Sequence, residues 1–341
     1  MSFSPDTLSN IFAPRKHCSR SKNKRSNPTH DLQKKGKRKK SKHEEMVHIQ
    51  GVPSNVLYNG YTVPASVSRT VLPLNVKNAF SRDKQICFSE PDHKYYIKGK
   101  TQGWVSVTKI CHMFFSSFDA YRVAKQMCAR HDFHINPRYN QYQTLCEEHP
   151  NNQKDLVRAV MRSWTVNGRK QSRLGSELHD WVERFVNGLL SESEVSDGIE
   201  RFPERIYALK YISKRRSEGW VPWRTEVMVF DEESKVCGMV DAIFKDRDGC
   251  FRMVDWKRSK KINTHGFDKG WGPCEGLSNC NYQHYTLQLN TYKYILEKHY
   301  KIRIMSMELA VFHPNNATFL CIPIENKQDM IHSIMKQRMR G

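Results

Sequence analysis

The stretch that decides the fold is residues 225–257, TEVMVFDEESKVCGMVDAIFKDRDGCFRMVDWK, whose apolar, strand-like runs carry acidic residues. Asp241 lies in the first of its two central runs and Asp255 in the second, and Lys257 follows two residues after Asp255. Side chains alternate between the two faces of a strand, so Asp255 and Lys257 share a face. The sequence therefore predicts a carboxylate and an ammonium group side by side.

A turn signal separates the two runs at Asp246-Arg247-Asp248-Gly249. Glycine tolerates positive φ and aspartate hydrogen-bonds its own backbone, so these residues favour a hairpin. A three-residue loop would place Asp241 directly opposite Asp255. Two carboxylates and a lysine at one place suit a divalent cation and an attacking water. An Asp-x-Lys pair alone is also common on exposed strands, so this interpretation depends on the rest of the chain.

Composition points to a polyanionic partner. The 341 residues include 56 Lys and Arg against 35 Asp and Glu, a formal charge of +21, which is typical of proteins that bind nucleic acid.

Ten cysteines without CxxC pairs, in a chain without a secretory signal, predict reduced thiols. No apolar run approaches the roughly 20 residues that cross a bilayer, so we expect a soluble protein with no membrane partner.

The first 85 residues divide into two segments. Residues 1–45 are poor in apolar side chains and predict a disordered basic tail, in which residues 15–42 hold thirteen Lys and Arg against one Asp. Residues 46–85 carry Pro53, Pro64 and Pro73 and predict a linker or an extended segment lying on the domain.

The basic tail also suggests where the protein acts. Its run at residues 34–42 indicates a nuclear localisation signal or a phosphate-binding arm, and includes Lys37, Arg38, Lys39 and Lys40. A mitochondrial transit peptide is the alternative, although Asp6 and the preference for lysine over arginine argue against it. A viral protein with this tail would act in the host cell.

Hydrophobic periodicity predicts a folded region from Ile86 onward. Helices are predicted at about 119–130, 153–166, 173–186, 203–218 and 283–299, with a basic helix at 326–341. Strands are predicted at 86–88, 94–97, 105–108, 303–312 and 318–324 besides the two central runs, and 261–282 is irregular. This layout indicates an α+β fold with a mixed sheet flanked by helices. On the helix at 173–186, His179 and Glu183 share a face.

Several spaced residues occur in a recognisable order, namely Gly175-x-x-x-His179, Glu226, Gly238-x-x-Asp241, Asp255-x-Lys257 and Gln288-x-x-x-Tyr292. The series resembles the PD-(D/E)XK nuclease superfamily in its RecB/Cas4-like branch, and is most similar to mitochondrial genome maintenance exonucleases and their relatives in large DNA viruses. The resemblance covers residues 86–325. It implies an α-β-β-β-α-β nuclease core at 171–325 and a helical, DNA-channel part at 86–170. The long insertion between Lys257 and Gln288 departs from the family pattern.

The resemblance also implies a metal site. Asp241 and Asp255 would bind Mg²⁺ or Mn²⁺, with the backbone carbonyl of Trp256 and His179 as further ligands. Lys257 would orient the attacking water and stabilise charge on the phosphate. Carboxylate oxygens suit Mg²⁺, and a histidine relaxes the preference toward Mn²⁺. On its own, His179 would more often be an ordinary histidine of the core.

Other family positions are open to two interpretations. Glu183 is either a surface residue or an added ligand. Glu226, which would begin a strand near the metal, is a further candidate ligand and catalytic residue. Gln288 and Tyr292 would lie beside the site and contact the substrate or support Lys257, and the alternative for both is packing within their helix.

The residues after Lys257 offer contacts to nucleic acid. Arg258 and Lys260 are candidates for phosphates, although such charges are usually solvated. Trp271 is a candidate for stacking on an unpaired base, and otherwise it packs.

The insertion also contains a loose metal-like spacing, formed by His265, Cys274, Cys280 and His284, that is more often coincidental than a zinc site. An iron–sulfur cluster is not expected, since the three closely spaced C-terminal cysteines of cluster-bearing relatives are missing from the sequence.

These observations together predict an Mg²⁺- or Mn²⁺-dependent deoxyribonuclease. The expected reaction is phosphodiester hydrolysis, as an exonuclease on single-stranded DNA or DNA ends in replication, recombination or repair, with proteins of those processes as partners. The alternatives are a catalytically silent DNA-binding scaffold on the same fold, and an RNA-directed or structure-specific endonuclease.

Overall fold

The computed structural model describes residues 55–58, 61–64 and 72–340. The predicted tail, including Lys37, Arg38, Lys39 and Lys40, lies outside the described residues. The earliest described elements are β1 (Asn55–Tyr58) and β2 (Tyr61–Pro64), which pair as an antiparallel hairpin.

The chain folds into a six-stranded mixed sheet flanked by helices, as the sequence predicts. A separate hairpin consists of β3 (Ile86–Ser89) and β4 (Lys94–Ile97). The strands of the sheet are β5 (Val105–Ser106), β6 (Val221–Asp231), β7 (Val236–Lys245), β8 (Phe251–Lys257), β9 (Ile304–Val311) and β10 (Leu320–Pro323). β7 is antiparallel to β6 and β8 and parallel to β5; β9 is parallel to β8 and antiparallel to β10.

Nine helices lie in the described part of the chain, besides three short 3₁₀ turns at Ser81–Gln85, Pro137–Tyr142 and Gly272–Cys274. They are α1 (Pro73–Lys77), α2 (Val107–His112), α3 (Ala120–Cys128), α4 (Gln143–Glu148), α5 (Gln153–Val186), α6 (Glu192–Arg201), α7 (Glu204–Ser217), α8 (Asn281–His299) and α9 (Gln328–Arg340). None of them is long and apolar enough to cross a membrane.

The hairpin of β7 and β8 has the predicted register. The strands pair from Ala242 opposite Val254 to Lys245 opposite Phe251. The loop consists of residues 247–249, since the N–H of Asp246 donates to the carbonyl of Cys250 at 3.0 Å, and Gly249 has a φ of 80°. Asp241 and Asp255 therefore stand directly opposite each other, one step beyond the last pair.

β7 and β8 separate at that step. On the side of β7 that faces β8, β5 pairs with Val236 and Cys237, and β8 pairs only from Ala242 onward. Among the described strands, none pairs with residues 238–241 on that side. The regular pairing of β7 with β8 thus ends where Asp241 and Asp255 lie, and there the backbone N–H of Trp256 donates to Asp241 Oδ2 at 2.8 Å.

Helices cover both faces of the sheet. α2 and α8 pack on one face, in a core that includes Ile110, Met253, Leu287, Leu289 and Leu309. On the other face the ring of Tyr211, from α7, meets the ring of Trp256 edge-on at 5.6 Å between centroids. Trp256 therefore faces α7, while its neighbours Asp255 and Lys257 face α8, as strand alternation predicts.

α5 is one helix of 34 residues, where the sequence predicted two, at 153–166 and 173–186. Its first part packs on a satellite core with Ala124 and Phe133, and its last part buries Leu178, Trp181 and Phe185. Residues 165–170 between them are exposed on every side. A helical segment that is surrounded by solvent has no apolar stripe. Hydrophobic periodicity therefore did not predict that residues 165–170 continue the helix.

Residues 72–85 belong to the fold, which therefore starts before the predicted Ile86. α1 and the turn Ser81–Gln85 lie along the outer edge of β6. Arg224 Nη1 donates to Asp83 Oδ2 at 2.8 Å, and Asn78 Nδ2 donates to the carbonyl of Trp223 at 2.7 Å. We call residues 72–85 the strap. The ring of Phe80 also packs against those of Trp223 and Tyr300. Most of the other contacts are polar ones between residues far apart in the chain, so a search for apolar periodicity does not detect the strap.

Candidate active site

Three carboxylates lie in one row across the open part of the sheet. Asp241 is in the middle, with Asp255 on β8 to one side and Glu226 on β6 to the other. The register places Glu226 opposite Asp241, between the pairs Thr225 with Ala242 and Val227 with Val240. Glu226 thus lies in the middle of β6 and not at its start, contrary to the sequence prediction, and it has a left-handed φ of 47°.

A group able to hold a cation forms around this row. Ligand atoms of His179, Glu226 and Asp241 all lie within 4.8 Å of one another. His179 comes from α5, and its Nδ1 is 3.5 Å from Asp241 Oδ2. Two carboxylates and an imidazole are donors that Mg²⁺ and Mn²⁺ accept. The residues present therefore fit a divalent cation.

His179 is neutral at physiological pH. Burial lowers its pKa to about 4, and the nearby charge of Lys257 acts in the same direction, although Asp255 and a hydrogen bond with the backbone of Trp256 oppose them. Its contact with Asp241 is therefore not an ion pair at pH 7. A neutral imidazole keeps a lone pair for a metal ion.

Asp255 and Lys257 form a close ion pair beside the cluster. Lys257 Nζ is 2.5 Å from Asp255 Oδ2, and both side chains are largely buried. Burial raises the pKa of Asp255 to about 6, with Lys257 opposing the rise and Asp241 adding to it. Burial also raises the pKa of Asp241, whose Oδ2 accepts from the backbone N–H of Trp256 at 2.8 Å. Lys257 thus offsets the buried negative charge only in part.

Tyr285 supports the lysine. The Nζ of Lys257 is 4.8 Å from the centroid of the Tyr285 ring, in α8, which is a cation–π contact. Burial lowers the pKa of Lys257, but Asp255 and Asp241 outweigh it and raise the value overall. The ammonium group therefore stays charged. Nothing in the sequence distinguishes Tyr285 from the other aromatic residues of its helix.

Gln288 and Tyr292 lie against β7. Gln288 Nε2 donates to the hydroxyl of Tyr292 at 3.2 Å. A Cβ on Gly238 would be 2.7 Å from Cε1 of Tyr292, so only glycine lets this buried ring approach the strand. Tyr292 thus packs against Gly238, which is three residues before Asp241 in β7. The ring of Tyr285, from the same helix, lies under the ammonium group of Lys257.

The α5 positions on either side of His179 differ in their surroundings. Gly175 is one turn earlier, and a Cβ there would meet nothing within 4 Å, so packing does not require this glycine. Glu183 is one turn later and buried. Glu183 is not a member of the group formed by His179, Glu226 and Asp241.

Arg258 is held inside the protein instead of facing a phosphate. Its Nε donates to Glu204 Oε1 at 2.6 Å and its Nη1 to Gln171 Oε1 at 2.7 Å. The side chains of Arg258 and Glu204 are only 7% and 4% exposed. The predicted phosphate contact is therefore replaced by a buried ion pair. Lys260 and Trp271 are exposed, as a contact with nucleic acid requires.

Three of the four cysteine and histidine residues of the insertion pack inside the protein, and the fourth, His265, is exposed. Cys274 and Cys280 are buried, and the ring of His284 contacts those of Phe115 and His112, with centroids 4.5 and 4.8 Å away. Within the described chain, Cys274, Cys280, His284 and His265 are not part of any group with metal-binding spacing.

Comparison with known proteins gives no assignment. No family model and no curated protein matches the chain. Among the solved structures that match, "Crystal structure of SSO0001" is 14% identical over 71% of this chain and 77% of that one, with a TM-score of 0.28.

Proposed function

We propose that this protein is a metal-dependent nuclease of the PD-(D/E)XK type that hydrolyses phosphodiester bonds in DNA. The observation that carries the proposal is the placement of Asp241, Asp255 and Lys257 where two antiparallel strands separate, with His179 beside Asp241. The order α7-β6-β7-β8-α8-β9 agrees with the α-β-β-β-α-β core that the resemblance implies.

His179, Asp241 and Glu226 would hold an Mg²⁺ or Mn²⁺ ion, with Asp255 as their neighbour across the hairpin. When bound, such an ion activates water and offsets charge on the phosphate. The charged Lys257, held between Asp255 and the Tyr285 ring, stabilises negative charge that develops on the phosphate. Glycine destabilises a helix by about 1 kcal/mol relative to alanine, and packing does not require a glycine at position 175. Gly175 instead leaves open space one helical turn from His179. We assign that space to the substrate.

The experiment that tests the proposal incubates the full chain with DNA labelled at either end, as single strands, blunt duplexes and circles, and with RNA of the same sequence. We expect DNA cleavage with Mg²⁺ or Mn²⁺ and none with EDTA. Binding without cleavage under every condition would favour the silent scaffold. RNA cleavage in place of DNA cleavage would favour the RNA-directed alternative. The two labels report the polarity.

An exposed aromatic surface near the site favours a strand with unpaired bases. Residues 113–121 carry Phe118 and Tyr121, and residues 266–271 carry Phe267 and Trp271, all exposed. The two segments are tied together, because Ser116 Oγ donates to Asp268 Oδ2 at 2.9 Å and the N–H of Trp271 donates to the carbonyl of Phe114 at 3.1 Å.

Two neighbours link this aromatic surface to the active site and to α5. Phe115 contacts His284, the residue before Tyr285, and Phe118 contacts Trp164 on α5. Between residues 156 and 176, α5 has five basic residues and no acidic one. Aromatic rings beside basic residues bind unpaired bases and phosphates together. A single-stranded region is therefore the substrate that these surfaces suit.

Replacing Phe118 and Phe267 together by alanine should weaken binding of single-stranded DNA about tenfold or more, since each stacked base contributes about 1–3 kcal/mol. Fluorescence anisotropy in EDTA measures the dissociation constant without cleavage. Met305→Ala, which removes an exposed side chain on β9, is the control and should change nothing. Equal binding by the double variant and the wild type would show that these rings do not hold bases.

Cation binding should weaken as the pH falls through about 6. Burial raises the pKa of Asp255 to about 6, so below that pH its carboxyl is protonated and no longer adds negative charge beside the cation, and the affinity should fall. His179, with a pKa of about 4, should contribute no proton above about pH 5. Calorimetric titration with Mn²⁺ from pH 5 to 8 tests this. An affinity that stays constant over this range would contradict it.

The same pKa shift sets the pH dependence of stability without a cation. A carboxyl whose pKa rises from 3.8 to about 6 on folding holds its proton more tightly in the folded state. Its contribution therefore favours the folded state below about pH 4 and is lost as the pH rises to about 6. A bound cation should restore this loss at neutral pH.

A further inference from the structure

The backbone of Glu226 is in a conformation that needs support. Its φ of 47° is left-handed, which costs a residue other than glycine about 1–3 kcal/mol and persists only where the surroundings enforce it. The carboxylate of this residue belongs to the group with His179 and Asp241. The structure should therefore contain groups that hold β6 in place at this point.

Asn75 of the strap binds the residue before Glu226 through both of its backbone groups. Asn75 Nδ2 donates to the carbonyl of Thr225 at 2.7 Å, and the N–H of Thr225 donates to Asn75 Oδ1 at 3.2 Å. These are the two bonds that a neighbouring strand would supply. A side-chain amide thus fixes the outer edge of β6 next to Glu226.

Asn187 completes the network from α5. It is the C-cap of that helix, and its Nδ2 donates to Thr225 Oγ1 at 2.9 Å. Its Oδ1 accepts from the N–H of Leu74 at 3.1 Å. Thr225 is almost completely buried. The strap, β6 and the helix that carries His179 are therefore joined at Thr225.

We propose that Asn75 and Asn187 are positioning residues that hold Glu226 where its carboxylate binds the cation shared with His179 and Asp241. This inference rests on the proposed metal-dependent function. Its chemistry is that of a hard oxygen donor for a divalent cation such as Mg²⁺ or Mn²⁺. Groups that orient a ligand in this way typically change metal affinity about 10–100-fold when they are removed.

A double-mutant cycle tests this inference with Mn²⁺ alone, by calorimetry on the full chain without nucleic acid. Glu226→Gln should weaken Mn²⁺ binding about tenfold or more, and Asn75→Ala should weaken it about tenfold. In the Glu226→Gln background, Asn75→Ala should have no further effect, because a positioning residue acts only through the group it positions. Equal loss in both backgrounds, or no loss at all, would overturn the inference.

Asn78→Ala is the matched control. Asn78 lies at the end of α1, and its amide donates to the carbonyls of Trp223 and Leu74 at 2.7 and 3.1 Å, but not to Thr225. Its loss should lower the melting temperature while leaving the Mn²⁺ affinity within about twofold. If Asn75→Ala does not fold, Thr225→Val removes only the hydroxyl that accepts from Asn187 and allows the same cycle.

The outcomes separate this inference from the proposed function. A wild-type protein that binds no Mn²⁺ overturns both. One that binds Mn²⁺ and cleaves DNA, but shows no coupling between Asn75 and Glu226, overturns the positioning role alone. Coupling without cleavage of any nucleic acid supports the positioning role and argues for the silent scaffold.

Discussion

Replacing Asp255 by asparagine should lower the rate of DNA cleavage by about 10²–10³-fold, the usual effect of removing one preorganised electrostatic group. Asparagine keeps the shape of the side chain but removes its charge. The cation then loses a neighbouring anion, and Lys257 loses the carboxylate that is 2.5 Å from its Nζ. Single-turnover cleavage of a labelled strand at saturating Mn²⁺ measures the effect.

The control for this substitution is in the same hairpin. Asp248 is exposed in the turn between β7 and β8, and Asp248→Asn makes the same chemical change away from the site. It should leave the cleavage rate unaltered. DNA binding in EDTA should stay within about threefold of wild type for both variants. Cleavage by Asp255→Asn at the wild-type rate in both Mg²⁺ and Mn²⁺ would refute the nuclease assignment.

Replacing Arg258 by alanine should lower the free energy of unfolding by about 3–5 kcal/mol, because it leaves the buried carboxylate of Glu204 without its partner. Arg258 joins the end of β8 to α7 through Glu204 and to α5 through Gln171. Urea unfolding followed by circular dichroism measures the loss. Lys260→Ala, at an exposed position two residues later, should change stability by less than about 0.5 kcal/mol.

A second variant distinguishes this ion pair from a phosphate contact. Replacing both partners by apolar residues, as Arg258→Met with Glu204→Leu, should recover most of the lost stability, since no buried charge is left alone. If Arg258 instead binds phosphate, Arg258→Ala would weaken DNA binding while leaving the unfolding midpoint unchanged.

The centre of the site could be predicted from local sequence because its geometry is local. The turn at residues 246–249 determines the loop length, and loop length determines the register. Strand alternation then places Asp255 and Lys257 on one face. These steps depend on neighbouring residues alone, and the register of β7 and β8 confirms the first of them.

The support of the site could not be predicted, because it comes from contacts between residues far apart in the chain. Asn75 and Thr225 are 150 positions apart, and nothing in the sequence around Asn75 indicates a strand edge. The sequence does not distinguish Arg258 from its exposed basic neighbours, because its partners Glu204 and Gln171 are far away in the chain. Tyr285 is one of several aromatic residues in α8, and only the three-dimensional fold shows which of them lies beneath Lys257.

The exposed segment of α5, residues 165–170, affects how the two cores can move. Residues 165–170 are helical and exposed and belong to neither core, so local opening there should cost less than opening either core. The satellite core around Ala124 and Phe133 can therefore tilt relative to the sheet while both remain folded. Phe118, which contacts Trp164 at the end of this span, would move with it. We therefore expect residues 165–170 to act as a hinge between the two cores.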